Sequence, residues 1–159
     1  MCASAYGIST VHNMVEYSVI IPACNEAENL PALASALQEA IASNRYDAEA
    51  IVIDDGSTDS TGRVLAELEK KYPFIRHVRH ERNMGITAAI KTGQSRALGS
   101  IIVFLPSDMQ SDPREDMPKL VSKLKEGYDV AVGVRKVWNR PPMKVIESKI
   151  YSMLSKLVF

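Results

Sequence analysis

The chain has 159 residues, room for one domain with a core of its own. Lysine plus arginine number 19 and aspartate plus glutamate number 19, so the formal net charge is zero, which argues against binding nucleic acid through bulk charge. Hydrophobic residues at 46% and charged residues at 24% exclude a disordered or collagen-like chain, and two cysteines, Cys2 and Cys24, are too few for a disulfide framework or a four-thiolate metal site and fit a reducing compartment.

Residues 1–15 have neither the basic start nor the continuous apolar run of a secretory signal and are expected to form a loose leader. Polar or charged residues interrupt every apolar stretch before the roughly 18–20 residues that a membrane-spanning helix needs. From Tyr17 onward short apolar runs alternate with helical patterns. Tyr17 to Ile21, Ala50 to Ile53, Ile75 to Arg79, Ile101 to Leu105 and Asp129 to Val134 are mostly rich in β-branched residues, as parallel strands covered on both faces should be. Between them Leu30, Leu33, Leu37 and Ile41 recur at helical spacing, with Pro31 tolerated in the first turn. Val64, Leu65 and Leu68 follow the second strand, with Asp59 or Ser60 available as the cap. Ile86, Ala89, Ile90, Gly93 and Ala97 give the third helix a small-residue face able to lie close against a sheet. The fourth helix is predicted over Asp116 to Glu126, with Leu120 and Leu124 inward and Gly127 as its stop.

This alternation predicts an open, mainly parallel α/β sheet over residues 16–136, with ligands outside the carboxyl ends of the strands. Lys136 to Pro142 reads as a linker. Beyond it Val145, Ile146, Ile150, Met153, Leu154, Leu157 and Val158 fall largely on one face of a helix, beside Lys144, Glu147, Lys149 and Lys156. Residues 137–159 are therefore expected to be a linker and amphipathic helix, the start of a truncated acceptor region; the helix would lie on an anionic membrane surface or make a core or oligomer contact.

Three loops at the predicted ligand edge carry chemistry. In Pro22-Ala23-Cys24-Asn25-Glu26-Ala27-Glu28-Asn29, the simpler reading has Asn25, Glu26 and Glu28 capping the next helix, where acidic groups suit the dipole. Asp54-Asp55-Gly56-Ser57-Thr58-Asp59 places two adjacent carboxylates after a buried strand; a tight turn explains part of it, and paired carboxylates there can also accept hydrogen bonds from ribose hydroxyls or a base N–H. The sequence has no Gly-x-Gly-x-x-Gly and no P-loop pattern. In Pro106-Ser107-Asp108-Met109-Gln110-Ser111-Asp112-Pro113, an ordinary turn competes with a site for Mg²⁺ or Mn²⁺, because a hard cation needs only one or two carboxylates when substrate phosphates complete its shell.

Pro22-Ala23-Cys24-Asn25-Glu26, Asp54-Asp55-Gly56-Ser57-Thr58-Asp59, Asn83-Met84-Gly85 and Asp108-Met109-Gln110, in this order and spacing, resemble glycosyltransferase family 2 with the GT-A fold, most of all its polyprenyl-phosphate branch. The resemblance covers about Tyr17 to Arg135. It implies a Rossmann-like three-layer α/β/α domain and a nucleotide-sugar donor, UDP- or GDP-linked, in a pocket lined by Pro22, Asn25, Glu26, Gly85 and Ser107, with Asp54 and Asp55 on base and ribose. It implies Asp108 and Gln110 as ligands of Mg²⁺ or Mn²⁺, and Asp108 and Arg135 as the catalytic pair, Arg135 meeting the diphosphate or the acceptor phosphate. Two departures stand out. Pro106 occupies the place of the first acid of the Asp-x-Asp metal motif, so metal would be held more weakly, rebuilt through Gln110 and Asp112, or absent; Ile86 stands where many relatives carry lysine.

The function so implied is inverting transfer of a sugar onto a polyprenyl phosphate, on the cytoplasmic side or cytoplasmic face of a membrane. Arg140, Lys144 and Lys149 are read first as surface residues and second as acceptor-phosphate partners. A family member using a saccharide or other hydroxyl acceptor, which needs a base carboxylate, is one rival. A catalytically inactive nucleotide-sugar-binding or oligomerisation module is another. A nucleotidyltransferase is a weaker third, because the first loop is acidic. His12, His77 and His80 show no ligand spacing and are expected to be solvated or packed.

Overall fold

The computed structural model describes residues 15–133. Four strands, β1 (Tyr17–Ala23), β2 (Ala48–Asp54), β3 (Ile75–Arg79) and β4 (Ile101–Phe104), alternate with four helices, α1 (Leu30–Asn44), α2 (Thr61–Lys71), α3 (Ile86–Arg96) and α4 (Pro113–Lys125). The sheet is wholly parallel in the order β3-β2-β1-β4.

The two-residue period of the strands sorts their side chains into two cores. Tyr17, Val19 and Ile21 of β1 and Ala50 and Val52 of β2 meet Leu33 and Leu37 of α1, Leu65 of α2 and Met117 and Val121 of α4. Ile20, Ile51 and Ile53 point the other way and meet Ala89 of α3. Three layers result. Leu33 and Leu37 are almost wholly buried, and each contributes about 2 kcal/mol by leaving water. The small-residue face of α3 has the expected purpose: a Cβ at Gly93 would stand 2.4 Å from Cγ2 of Ile20, so only glycine lets the helix approach this closely.

At the amino ends of the strands a polar cluster joins three strands to the end of α3. The Ser18 hydroxyl donates to Glu49 Oε1 at 2.7 Å, and the Leu98 N–H donates to the same oxygen at 2.7 Å. Arg76 pairs with Glu49 Oε2, and the Gly99 N–H donates to Ser18 Oγ at 2.8 Å. Burial by itself would raise the Glu49 pKa, but the hydrogen bonds from Ser18, Leu98 and Arg76 outweigh it and hold the carboxyl below its ordinary value.

Three expectations are corrected. Residues 129–133 form no strand: Val130 and Val132 are 74% and 79% exposed, and a cavity of about 630 Å³ lies between this segment and β4. A strand exists only by pairing, and β-branched composition does not supply a partner; Val134 lies outside the described residues. α4 begins at Pro113, because Asp112 caps it by accepting the Arg114 N–H at 2.9 Å, and it buries Met117 and Val121 while Leu120 and Leu124 line the cavity. Ile86 is 68% exposed at the start of α3, so the inward face of that helix is carried by Ala89 and Gly93. The leader, the linker, the tail helix and Arg135 lie outside the described residues. Among the described residues no helix is long and apolar enough to cross a membrane.

Candidate functional site

The chain runs outward from β1 through β2 to β3 and then returns across the sheet to β4, so connections diverge on either side of β1 and open a crevice at its carboxyl end. Four loops meet this edge. The first two are stitched together by one side chain. Asn25, in the left-handed conformation at φ 57°, turns its Oδ1 to accept the N–H groups of Thr58 at 2.8 Å and Asp59 at 3.3 Å, while its own N–H donates to Ser57 Oγ at 2.9 Å. Glu26 adds a second tie, its N–H donating to Thr61 Oγ1 at 2.9 Å, and its carboxylate accepts from Asn29. Asp59 rather than Ser60 supplies the capping oxygen of α2, accepting the Thr61 N–H at 2.9 Å.

The paired carboxylates differ in their surroundings. Asp54 is fully buried; its Oδ1 accepts the Ser57 N–H at 2.9 Å, and its Oδ2 receives no hydrogen bond and lies 3.3 Å from the Arg79 guanidinium. Arg79 in turn donates to the Ser57 carbonyl at 2.9 Å. Asp55 is 4% exposed and reaches across to the third loop, accepting the N–H groups of Met84 at 2.9 Å and Gly85 at 2.8 Å. It also pairs with His80 Nδ1 at 2.7 Å, and His80 Nε2 lies 2.9 Å from the Thr92 hydroxyl on α3. Burial favours a neutral Asp55, yet the two amides and the imidazole together hold its pKa below the ordinary value. Gly56 completes this junction: its φ is 69°, and a Cβ there would stand 2.3 Å from the backbone carbon of Arg82.

Asp108 stands half-buried on the fourth loop, directly after β4, where its Oδ1 accepts the Gln110 N–H at 3.1 Å; Ser107 beside it is buried. Asp112 is engaged in the α4 cap and with Arg114, whose Nη2 donates to it at 2.7 Å. Among the described residues no three His, Cys, Asp or Glu side chains converge as a metal cage. The arrangement fits a hard cation only as a one-carboxylate site, with Asp108 contributing one side and a diphosphate the other.

The predicted residues Pro22, Asn25, Glu26, Asp54, Asp55, Gly85, Ser107, Asp108 and Gln110 thus all lie at or beyond the carboxyl ends of the strands. Arg79 and Thr92 were not singled out by the sequence, and His80, expected to be solvated or packed, is packed. The signal existed for His80, which follows β3 directly just as Asp55 follows β2, but a histidine without ligand spacing does not announce a carboxylate partner 25 positions earlier.

Residues 18–154 match the family model described as Glycosyl transferase family 2. This chain belongs to glycosyltransferase family 2. It is 36% identical over 148 residues to a dolichol-phosphate mannosyltransferase of Pyrococcus furiosus, an alignment covering 90% of this chain and 41% of that protein. The chain thus spans about two-fifths of the length of that relative. Among solved structures it is similar to the mannosyltransferase PcManGT from Pyrobaculum calidifontis in complex with GDP-Man and Mn²⁺, with a TM-score of 0.54 and 25% identity over 59% of this chain and 28% of that one. The S. aureus TarS fragment 1–349 in complex with UDP-GlcNAc gives a TM-score of 0.60 at 21% identity, over 76% of this chain and 37% of that one. These neighbours share the GT-A fold, to which the parallel β3-β2-β1-β4 sheet with helices on both faces conforms.

Proposed function

We propose that this protein transfers a sugar from a nucleotide-sugar donor to a polyprenyl phosphate, with inversion at the anomeric carbon. The observation that carries the reading is the edge itself: three loops tied to one another by Asn25 and Asp55, and a carboxylate, Asp108, on the loop that follows the neighbouring strand at the same edge. The acceptor class rests on the likeness to the dolichol-phosphate mannosyltransferase, and GDP- or UDP-linked donors on the ligands of the structural neighbours.

In this reading the nucleoside lies against the first three loops, with Pro22, Asn25 and Glu26 as wall. Asp54 and Asp55 shape that wall more than they touch the ligand, since Asp54 is fully buried and both Asp55 oxygens already serve protein donors. The diphosphate comes to Asp108, Ser107 and Gly85. A divalent cation held there by Asp108, with Gln110 alongside, would supply charge neutralisation for the departing diphosphate. Arg135 is proposed to share that task.

The new bond forms between an acceptor-phosphate oxygen and the anomeric carbon as the carbon–oxygen bond to the diphosphate breaks, and the nucleoside diphosphate leaves with the electron pair. A phosphate monoester is already ionised at neutral pH and needs no general base. The site is suited to that, since the one histidine at this edge among the described residues, His80, is committed to Asp55 and Thr92. Such an enzyme would work at the cytoplasmic face of a membrane.

Calorimetric titration with GDP and UDP, with and without Mn²⁺, tests the donor site on the parent chain and on Asp108→Ala. Binding of one nucleotide, with a Mn²⁺ enhancement that Asp108→Ala removes, is the expected result. Binding of neither nucleotide under any condition refutes the reading. For the acceptor, incubation with labelled nucleotide sugar and either dolichyl phosphate or a free saccharide should give label in the lipid fraction; label in the saccharide alone would replace the acceptor class.

A further inference from the structure

His80 is the only side chain among the described residues that hydrogen-bonds the Asp55 carboxylate, every other bond to it coming from the backbone of the third loop. We infer that His80 is a positioning residue for the donor site: by fixing Asp55, it holds the Asn83-Met84-Gly85 loop in the place from which that loop faces the nucleotide. This inference rests on the donor-site reading above and adds to it the group that sets the loop.

An ionised carboxylate only accepts, so His80 Nδ1 carries the proton between them. In the neutral ring Nε2 is then an acceptor, and the Thr92 hydroxyl, 2.9 Å away on α3, fills it. Asp55 Oδ1 is shared between His80 and the Met84 N–H, while Oδ2 takes the Gly85 N–H. Without the imidazole the carboxylate loses its one side-chain donor among the described residues, and the two loop amides are left to orient the group that anchors them. Those amides open α3: Gly85 is its N-cap, with φ 86°. The contact of Gly56 with the Arg82 backbone limits how far the loop can approach but does not hold it in place. Attraction comes from Asp55 and direction from His80.

The test pairs hydrogen exchange with nucleotide titration on the same chain. In His80→Ala, exchange at the Met84 and Gly85 amides should quicken by roughly tenfold or more, while core amides such as that of Ile51 keep the parent's rates, and affinity for the nucleotide that the parent binds should fall by about the same factor. His80→Asn, whose amide can still donate toward Asp55, should restore both to within about threefold of the parent. Thr92→Val, which leaves the His80–Asp55 pair intact, should fall between the two and keeps the test open if His80→Ala does not fold. Unchanged exchange at Met84 and Gly85 in His80→Ala overturns the inference, as does a His80→Asn variant no better than the alanine. If the parent binds no nucleotide, the donor-site reading fails by itself, and exchange still decides whether His80 holds the loop.

Discussion

Removing the Glu49 carboxylate should unsettle the sheet from the end opposite the candidate site. In Glu49→Ala the Leu98 N–H loses its acceptor at a partly exposed position, and the fully buried Ser18 hydroxyl is left as a donor with nothing to bond, keeping only its role as acceptor for Gly99. A buried donor left unpaired costs about 1–3 kcal/mol. Arg76 is 44% exposed and regains water, so its lost ion pair adds at most about 1 kcal/mol. Together these give a destabilisation of about 1–4 kcal/mol, and a fall in melting temperature on the order of 10 °C for a domain of this size. Because the fold lowers the Glu49 pKa beneath the ordinary 4.5, its contribution is complete above that value and is lost as pH falls through the folded-state pKa. Urea unfolding followed by circular dichroism, at neutral pH and again below 4.5, should therefore find the gap between parent and Glu49→Gln closing in acid. A Glu49→Ala variant within about 0.5 kcal/mol of the parent, or a gap indifferent to pH, would refute the reasoning.

Gly56→Ala should cost upwards of about 2 kcal/mol, since it combines a left-handed backbone with a 2.3 Å approach to the Arg82 main chain that cannot retreat; thermal melting checks the loss, and titration should find nucleotide binding weakened further. Gly93→Ala meets opposing effects: better helix propensity gains about 1 kcal/mol, and forcing Ile20 aside costs about 1–3 kcal/mol, so chemical denaturation should register a modest net loss where an exposed helical glycine would give a gain. Asp108→Asn should leave the melting temperature within about 1 °C of the parent, because that side chain holds only the Gln110 N–H, while abolishing any enhancement of nucleotide binding by Mn²⁺.

Much of the fold was legible because its two central strands, β1 and β2, are buried on both faces. Tyr17 to Ile21, Ala50 to Ile53 and Ile75 to Arg79 lie within or match β1, β2 and β3, since a run of β-branched residues bounded by turn signals has few other uses. The same logic misled at 129–133, where composition resembles a strand but pairing, a property of two segments, is missing. The start of α4 was placed late because Asp112-Pro113 was read as a turn, though an aspartate before a proline is also how a helix is capped and begun. At the site, position relative to the strand ends was readable and hydrogen-bond partnership was not. Asn25 and Asp55 also stitch the loops together, and the groups they hold, from Ser57 to Gly85, are mostly backbone and leave no mark in a sequence.

The central position of β1 also bears on the order in which the chain acquires its shape during synthesis. Ser18 is joined to Glu49, 31 positions later, and to Gly99, 81 positions later. One flank of β1 can thus be completed soon after the second strand emerges, whereas the other must wait for β4, several seconds behind at ribosomal rates of roughly 5–20 residues per second. Until then an apolar parallel strand has a bare edge, the condition under which nascent chains recruit chaperones or one another. The crevice between β1 and β4, where the two flanks meet, is consequently the last part of the described sheet to exist.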